Sequence, residues 1–317
     1  MALSVAVYLD QNHWSRLSAV ALGRAPDIRG VLQLLRAESE AGRVTCPLSW
    51  LHFLETEQLA TISRRRELAA TMTEISRCAT IAPLSALVPE HLARSLARAT
   101  GLVRVPRDLP AIGRGVAHGF GLTPRSLFDH FPTFLEAVLA ADPAGLPEEQ
   151  RFAAEQTIRD LRRRDREEAE QHMRARTWAA GQQGSALLRT HLARSVMEFL
   201  PTINEWFDEH GIQFIPEAPG SQEWLTEVVR NVPELDVQVL LNAERDRVPR
   251  RPIRANDLRD VDVLAVAIPS CDVVVTDKFW PPLAARAGLG QRYRTRIFSE
   301  LTELPSALGE IFEQSGS

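Results

Sequence analysis

The stretch NDLRDVDVLAVAIPSCDVVVTDKFW, from Asn256 to Trp280, decides the fold class of this chain. Its first half, Asp257 to Ile268, has the apolar periodicity of a helix, which Pro269 is expected to end. Its second half, Val273 to Thr276, is a short run of β-branched residues, typical of a parallel strand that is buried on both faces. A helix followed so closely by a fully apolar strand predicts an α/β fold.

The start of the chain has the same pattern. Val5 to Leu9 (VAVYL) is a second apolar run that predicts a strand, followed by a helix that begins near Asn12, its expected N-cap. A further strand is expected at Arg43 to Cys46, before a helix opened by Pro47 and Ser49. Strands and helices alternate at both ends of the chain, so we expect a three-layer α/β domain with a central parallel sheet.

The middle of the chain is different. Segments with helical periodicity, separated by proline and glycine, run from about 83 to 216 without a convincing strand pattern. We therefore expect residues 1–82 and 217–317 to form the two halves of one α/β domain, and residues 83–216 to form an all-helical insertion between them.

Composition limits the classes of function. A net charge of −4 argues against a protein that coats nucleic acid indiscriminately. Every basic residue except Lys278 is arginine, so the lysine of a Walker-type phosphate loop is missing. The three cysteines show no C-x-x-C spacing, which argues against a structural zinc site. No apolar stretch is long enough for a membrane helix and the N-terminus does not resemble a signal peptide, so we expect a cytoplasmic protein.

Acidic residues follow the two most apolar strands. Asp10 comes directly after VAVYL, and Asp277 comes directly after VVVT. Ligands of open parallel sheets lie outside the carboxyl ends of the strands, so we expect both side chains at one edge of the sheet. Glu55 and Asp260 could reach the same edge from helices.

Two of these four positions have competitors. On its predicted helix Asp260 shares a face with Leu264, whereas Asp262 projects about 160° away, so Asp260 is the preferred third acid. The choice between Asp260 and Asp262 stays open. Helical periodicity also does not separate Glu55 from Glu57.

A cluster of three or four carboxylates needs a cation. Two carboxylates about 4 Å apart repel each other by on the order of 4 kcal/mol at an effective dielectric constant near 20. Mg²⁺ and Mn²⁺ bind oxygen ligands and keep several waters, which leaves room for a substrate phosphate and an attacking water. A set without histidine or cysteine disfavours zinc. The pattern therefore predicts phosphodiester hydrolysis with Mg²⁺ or Mn²⁺ as cofactor.

Four motifs in this order resemble a PIN-like nuclease domain: LDQN (Leu9–Asn12), PLSWLHFLE (Pro47–Glu55), DVDVLAVAIP (Asp260–Pro269) and VVVTDK (Val273–Lys278). The resemblance covers both ends of the chain and not its middle. It implies a metal-dependent endoribonuclease whose metal-binding and catalytic acids are Asp10, Glu55, Asp260 and Asp277. It also implies that Asn12 and Thr276 support these acids through hydrogen bonds, and Lys278 could contact a phosphate.

A basic segment leads into the predicted Asp260 helix and suits contacts with an RNA backbone. Its arginines are Arg245, Arg247, Arg250, Arg251 and Arg254. We expect the substrate to be single-stranded or looped RNA, because a splayed backbone fits a narrow acidic cleft. The insertion could dock an inhibitor or complex partner, as in a toxin-like or defence-related protein, and no membrane partner is expected.

Two other functions fit the same acids. A phosphatase of the haloacid dehalogenase class uses a strand-end aspartate as nucleophile but needs a second aspartate two residues later, where this chain has Asn12. A non-catalytic PIN-like module that binds RNA or protein is the other alternative. Metal binding distinguishes it from the enzyme, since an intact metal site gains stability from its ion.

Overall fold

The computed structural model describes residues 4–24, 26–102, 109–123, 127–141, 148–179, 186–215, 220–248 and 251–315. The strands are β1 (Val5–Leu9), β2 (Val44–Thr45), β3 (Ala79–Ile81), β4 (Ile112–Arg114), β5 (Val273–Val275) and β6 (Arg296–Phe298). The helices are α1 (Gln11–Ala21), α2 (Arg29–Glu40), α3 (Trp50–Glu57), α4 (Ile62–Ser76), α5 (Leu84–Thr100), α6 (Val116–Gly119), α7 (Pro132–Leu139), α8 (Glu148–Ala179), α9 (Ala186–Glu209), α10 (Ser221–Arg230), α11 (Pro233–Asp246), α12 (Ala255–Ser270), α13 (Trp280–Arg286), α14 (Leu289–Tyr293) and α15 (Leu304–Ser315).

Four strands form a parallel sheet in the order β2-β1-β5-β6. The two apolar runs from opposite ends of the chain are neighbours at its centre, with Val7 opposite Val273 and Leu9 opposite Val275. The predicted α/β class with a parallel sheet is therefore confirmed.

Side chains on both faces of the central strands are buried, which explains why these strands are continuously apolar. Val7, Leu9 and Val275 pack into a core that also includes residues of α1, α2, α4 and α15. Tyr8 and Val274 point to the opposite face and are buried as well. With Leu9 opposite Val275, both central strands end at the same edge of the sheet.

The chain divides into two compact units. The first comprises Met1–Pro83, Pro110–Ile158 and Ala267–Ser317 and contains the parallel sheet, and the second comprises Leu84–Leu109 and Arg159–Val266. The predicted segment 217–317 is thus shared between the two units, because α10 and α11 belong to the second.

The region 83–216 contains a strand, although the sequence predicted helices throughout. Within it, β4 pairs antiparallel with β3, and Gly113 stands opposite Thr80. Three residues are too few to show an alternating pattern, and the centre of β4 is a glycine. A Cβ atom at Gly113 would lie 2.5 Å from the ring of His118, so glycine is needed here for packing.

The core of the second unit is formed by apolar faces of α5, α9, α10 and α11. Leu96, Trp206, Phe207, Leu225 and Leu235 are among its buried members. None of the described helices combines the length and the apolar character that a membrane crossing requires.

Candidate functional site

Asp10 and Asp277 lie close to each other at the carboxyl edge of the sheet in the first unit. The backbone N–H of Asp10 donates to the carbonyl of Val275 at the end of β5 (2.9 Å). Burial raises the pKa of Asp10, and the negative charge of Asp277 raises it as well, against the lowering effects of the backbone N–H groups of Gln11 and Asp277 and of His13. The structure therefore brings together the two strand-end acids, from opposite ends of the chain.

Both carboxylates also accept hydrogen bonds from the backbone that follows them. Asp10 Oδ1 accepts from the Gln11 N–H (2.7 Å), and Asp277 Oδ1 accepts from the Phe279 N–H (2.8 Å). Asp10 is thus the N-cap of α1, and the prediction that Asn12 is the N-cap was wrong. The helix begins earlier because the strand-end carboxylate already satisfies the first free N–H group, which leaves Asn12 exposed in the first turn.

His52 joins the start of α3 to the end of β1. Its Nδ1 accepts from the Ser49 N–H (2.9 Å), and its Nε2 donates to the carbonyl of Leu9 (2.9 Å). Because the backbone N–H can only donate, the ring is neutral and carries its proton on Nε2. Burial lowers the pKa of His52 to about 3, although the bond to Leu9 acts in the other direction.

The other end of α3 is joined to α1. Gln11 Nε2 donates to the hydroxyl of Thr56 (3.1 Å), and both side chains are buried. Glu55 immediately precedes Thr56 and is half-buried, while Gln11 immediately follows Asp10. This bond holds the turn of α3 that carries Glu55 next to the start of α1.

The predicted supporting residues have different environments. The side chain of Thr276 is buried, while its backbone carbonyl lies 3.3 Å from Nε2 of His13 and its N–H donates to the Phe298 carbonyl (3.0 Å). Burial lowers the pKa of His13. Lys278 is exposed. Of the supporting residues, Thr276 contacts the edge of the sheet through its backbone.

Asp260 belongs to the second unit, where it is half-buried on α12. Asp262, its competitor, is also half-buried and accepts a hydrogen bond from Nε2 of Gln238 (3.0 Å). The choice of the third acid stays a prediction.

Arg245, predicted to bind RNA, lies inside the second unit with 2 % of its surface exposed. Its Nε donates to Asp246 Oδ1 (2.8 Å), and its Nη2 donates to Nδ1 of His172 (3.0 Å). A buried guanidinium in this position does not face a polyanion in solution. Arg250, predicted for the same role, lies outside the described residues.

The other arginines of the basic segment are closer to solvent. Arg247 is exposed and forms an ion pair with Glu244, and Arg251 is half-buried and donates twice to the carboxylate of Asp257 (2.7 and 2.9 Å). Arg254 is exposed. Two of these three cations are thus already paired with carboxylates that flank the segment.

A second group of metal-ligand side chains lies in the second unit. His172, His191 and Asp246 are all buried and come from α8, α9 and α11. Each offers one ligand atom, and these atoms lie within 4.8 Å of one another. This group was not predicted from the sequence, because its members are far apart along the chain and share no motif. The only signal was an unusual one, histidines on the inward faces of helices.

Two groups of side chains thus have the chemistry to bind a cation, the acids at the edge of the sheet and the histidine-containing group among the helices. Comparisons of the chain with family models, with curated proteins and with solved structures find no match. What is known of the two groups of side chains is therefore their own geometry and chemistry.

Proposed function

We propose that the first unit is a PIN-like nuclease domain and that the protein is a Mg²⁺- or Mn²⁺-dependent endoribonuclease. The observation that carries this proposal is the approach of Asp10 and Asp277 at the carboxyl ends of β1 and β5. Open parallel sheets bind their ligands at this edge.

The electrostatics of this edge favour a hard divalent cation. Asp10 is held in a place that disfavours its charge, because the carboxyl is buried and Asp277 is close. A bound cation offsets both the cost of burying the ionised carboxylate and its repulsion by Asp277. Carboxylate oxygens are the ligands that Mg²⁺ and Mn²⁺ prefer, so the residues present fit this cofactor.

In the proposed reaction, Asp10 and Asp277 bind the cation, and Glu55 binds it or orients the attacking water. When bound, Mg²⁺ or Mn²⁺ lowers the pKa of water and neutralises charge on the phosphate. Water attacks phosphorus in line, the bond to the 3′ oxygen breaks, and the 3′ oxygen takes up a proton. The products carry 5′-phosphate and 3′-hydroxyl ends, and the proposed substrate is single-stranded or looped RNA. Asp260 stays the predicted third metal-binding acid.

The test compares Asp10→Asn and Asp277→Asn with Asp272→Asn as the matched control. Asp272 precedes the same strand β5 at its other end, and its Oδ2 accepts from the Ala6 N–H (2.8 Å). We expect Mn²⁺ to stabilise the wild type and the control, by about 2.7 kcal/mol at a hundredfold excess over the dissociation constant. Both site variants should lose this stabilisation and the cleavage of a 5′-labelled RNA.

Cleavage that is undiminished in Asp10→Asn and resistant to EDTA would contradict the proposal. Loss of cleavage with unchanged Mn²⁺ stabilisation in both site variants would also contradict it, because the acids would then not bind the cation.

A further inference from the structure

The group formed by His172, His191 and Asp246 is held in a defined arrangement. Nε2 of His191 lies 3.0 Å from Oδ2 of Asp246, and the two imidazole rings stack with their centres 5.8 Å apart. A separation near 3 Å is what two ligands of one metal ion show when each lies about 2 Å from it. His191 and Asp246 therefore already have the spacing of two ligands of one ion, and the third ligand atom lies within 4.8 Å of both.

Arg245 fixes the protonation state of two members. Its guanidinium can only donate, so Nδ1 of His172, 3.0 Å from Arg245 Nη2, presents a lone pair, and Asp246 is an ionised acceptor. A neutral imidazole and a carboxylate are the forms that bind metal. Arg245 Nη1 is buried and has no hydrogen-bond partner among the described residues, so the guanidinium is incompletely satisfied.

A cavity of about 30 Å³ adjoins the group, and both histidines line it. This volume is enough for an ion-bound water. Two further residues that line it, Ser195 and Asn242, are buried, and neither Ser195 Oγ nor Asn242 Oδ1 has a hydrogen-bond partner in the described part of the chain. Buried oxygens without donors point to something that is bound there.

The charges around the cavity favour a cation over an anion. Its lining includes three carboxylates, those of Glu168, Glu198 and Asp262, and one guanidinium, that of Arg194. Asp246 and Arg245, which do not line the cavity, form an ion pair, so their charges cancel. Burial raises the pKa of Glu198, and the nearby charge of Glu168 raises it further. The formal surplus of two negative charges is what one divalent ion neutralises.

We propose that His172, His191 and Asp246 form a second metal site, which binds a zinc-class divalent cation independently of the acids in the first unit. Two imidazoles with one carboxylate are a ligand set for zinc and disfavour Mg²⁺. The cation takes the Nδ1 lone pair of His172 in place of Arg245 Nη2, while Arg245 keeps its bond to Asp246 Oδ1. The hydrogen on His191 Nε2 moves to Nδ1, so this ring stays neutral.

The experiment titrates tag-free, chelator-treated full-length protein with Co²⁺ and then with Zn²⁺. We expect one equivalent of Co²⁺ to give the intense visible bands of a four- or five-coordinate ion, and one equivalent of Zn²⁺ to remove them. Mg²⁺ should not remove them. His191→Gln should weaken binding by at least about 100-fold, since loss of an outer-shell partner alone costs up to about that factor.

Two control variants show whether Co²⁺ binds at this group and not elsewhere on the protein. His91→Gln removes a histidine of the same unit that also pairs with a carboxylate, Glu234 (2.8 Å), and it should leave Co²⁺ binding unchanged. Asp10→Asn should leave it unchanged too, so failure of this proposal and failure of the nuclease proposal are distinguishable.

Absence of the intense Co²⁺ bands in the wild type would overturn the proposal, as would intense bands of unchanged strength in His191→Gln. If His191→Gln does not fold, X-ray absorption of the zinc-loaded wild type tests the proposal by counting the imidazole ligands of the ion. Two imidazole ligands support the site, and fewer than two overturn it.

Discussion

Replacing His52 by leucine should destabilise the first unit and change how its stability depends on pH. The imidazole is 1 % exposed and accepts one backbone hydrogen bond, from Ser49, while it donates another, to Leu9. Leucine leaves a buried donor and a buried acceptor without partners, and each costs about 1–3 kcal/mol. We expect the free energy of unfolding at pH 7.5 to fall by about 2–6 kcal/mol.

The pH dependence follows from the difference between the folded and unfolded chains. Burial lowers the pKa of His52 to about 3 in the folded protein, whereas an unfolded histidine titrates near 6.5. Between these values only the unfolded chain binds the proton. The contribution of His52 to stability is therefore complete above pH 6.5 and is lost as the pH falls toward 3. From pH 7.5 to 4.5 the loss is about 3 kcal/mol.

The measurement is urea unfolding at pH 7.5, 6 and 4.5. Unfolding of the first unit is monitored through hydrogen exchange of peptides from β1 and α3. Titrations of all other groups are common to both proteins and cancel in the difference between wild type and His52→Leu. That difference should shrink by about 3 kcal/mol on going from pH 7.5 to 4.5. His210→Leu, which removes an exposed histidine of the second unit, should show no such change. If the difference in unfolding free energy between wild type and His52→Leu stays constant over this range, the interpretation of His52 as a neutral, buried imidazole is wrong.

Two further predictions concern packing and thiol reactivity. Gly115→Ala should lower the free energy of unfolding by more than about 2 kcal/mol, because Gly115 has a φ of +94° and an added Cβ would overlap the carboxylate of Asp129. Gly42→Ala is the control in thermal unfolding, since Gly42 also has positive φ but open space around it, and an equal loss in both would contradict the overlap. Cys46 and Cys271 should not react with Ellman's reagent at pH 8 until the protein unfolds, because burial raises the pKa of Cys46 to about 12 and that of Cys271 as well. Rapid labelling of the native protein would contradict this.

The sheet was predictable because burial on both faces leaves a direct mark on the sequence. Val5–Leu9 and Val273–Val275 are apolar at every position, and these are the strands at its centre. The meeting of Asp10 and Asp277 follows from the same pattern. Parallel neighbours end at one edge, so an acid after each strand must share that edge.

The environment of Arg245 was not predictable in this way. An arginine-rich stretch predicts a solvated surface. Whether one of its arginines is buried depends on partners far away in the chain. Asp246 is adjacent, but His172 comes from a different helix, 73 residues earlier. Burial of a cation becomes favourable only when such partners assemble, which is a property of the tertiary structure.

The two proposed sites differ in ligand chemistry, and this makes their combination testable in one sample. The acids at the edge of the sheet offer only oxygen, which selects Mg²⁺ or Mn²⁺, whereas the second site adds two imidazoles, which select a zinc-class ion. Each site alone accounts for binding of one class of ion. Only the two together predict that Zn²⁺ at one equivalent leaves the stabilisation by Mg²⁺ intact, and that Asp10→Asn removes the effect of Mg²⁺ while His191→Gln removes that of Zn²⁺. If one substitution removes both effects, the ions share a site and the separation into two ligand sets is wrong.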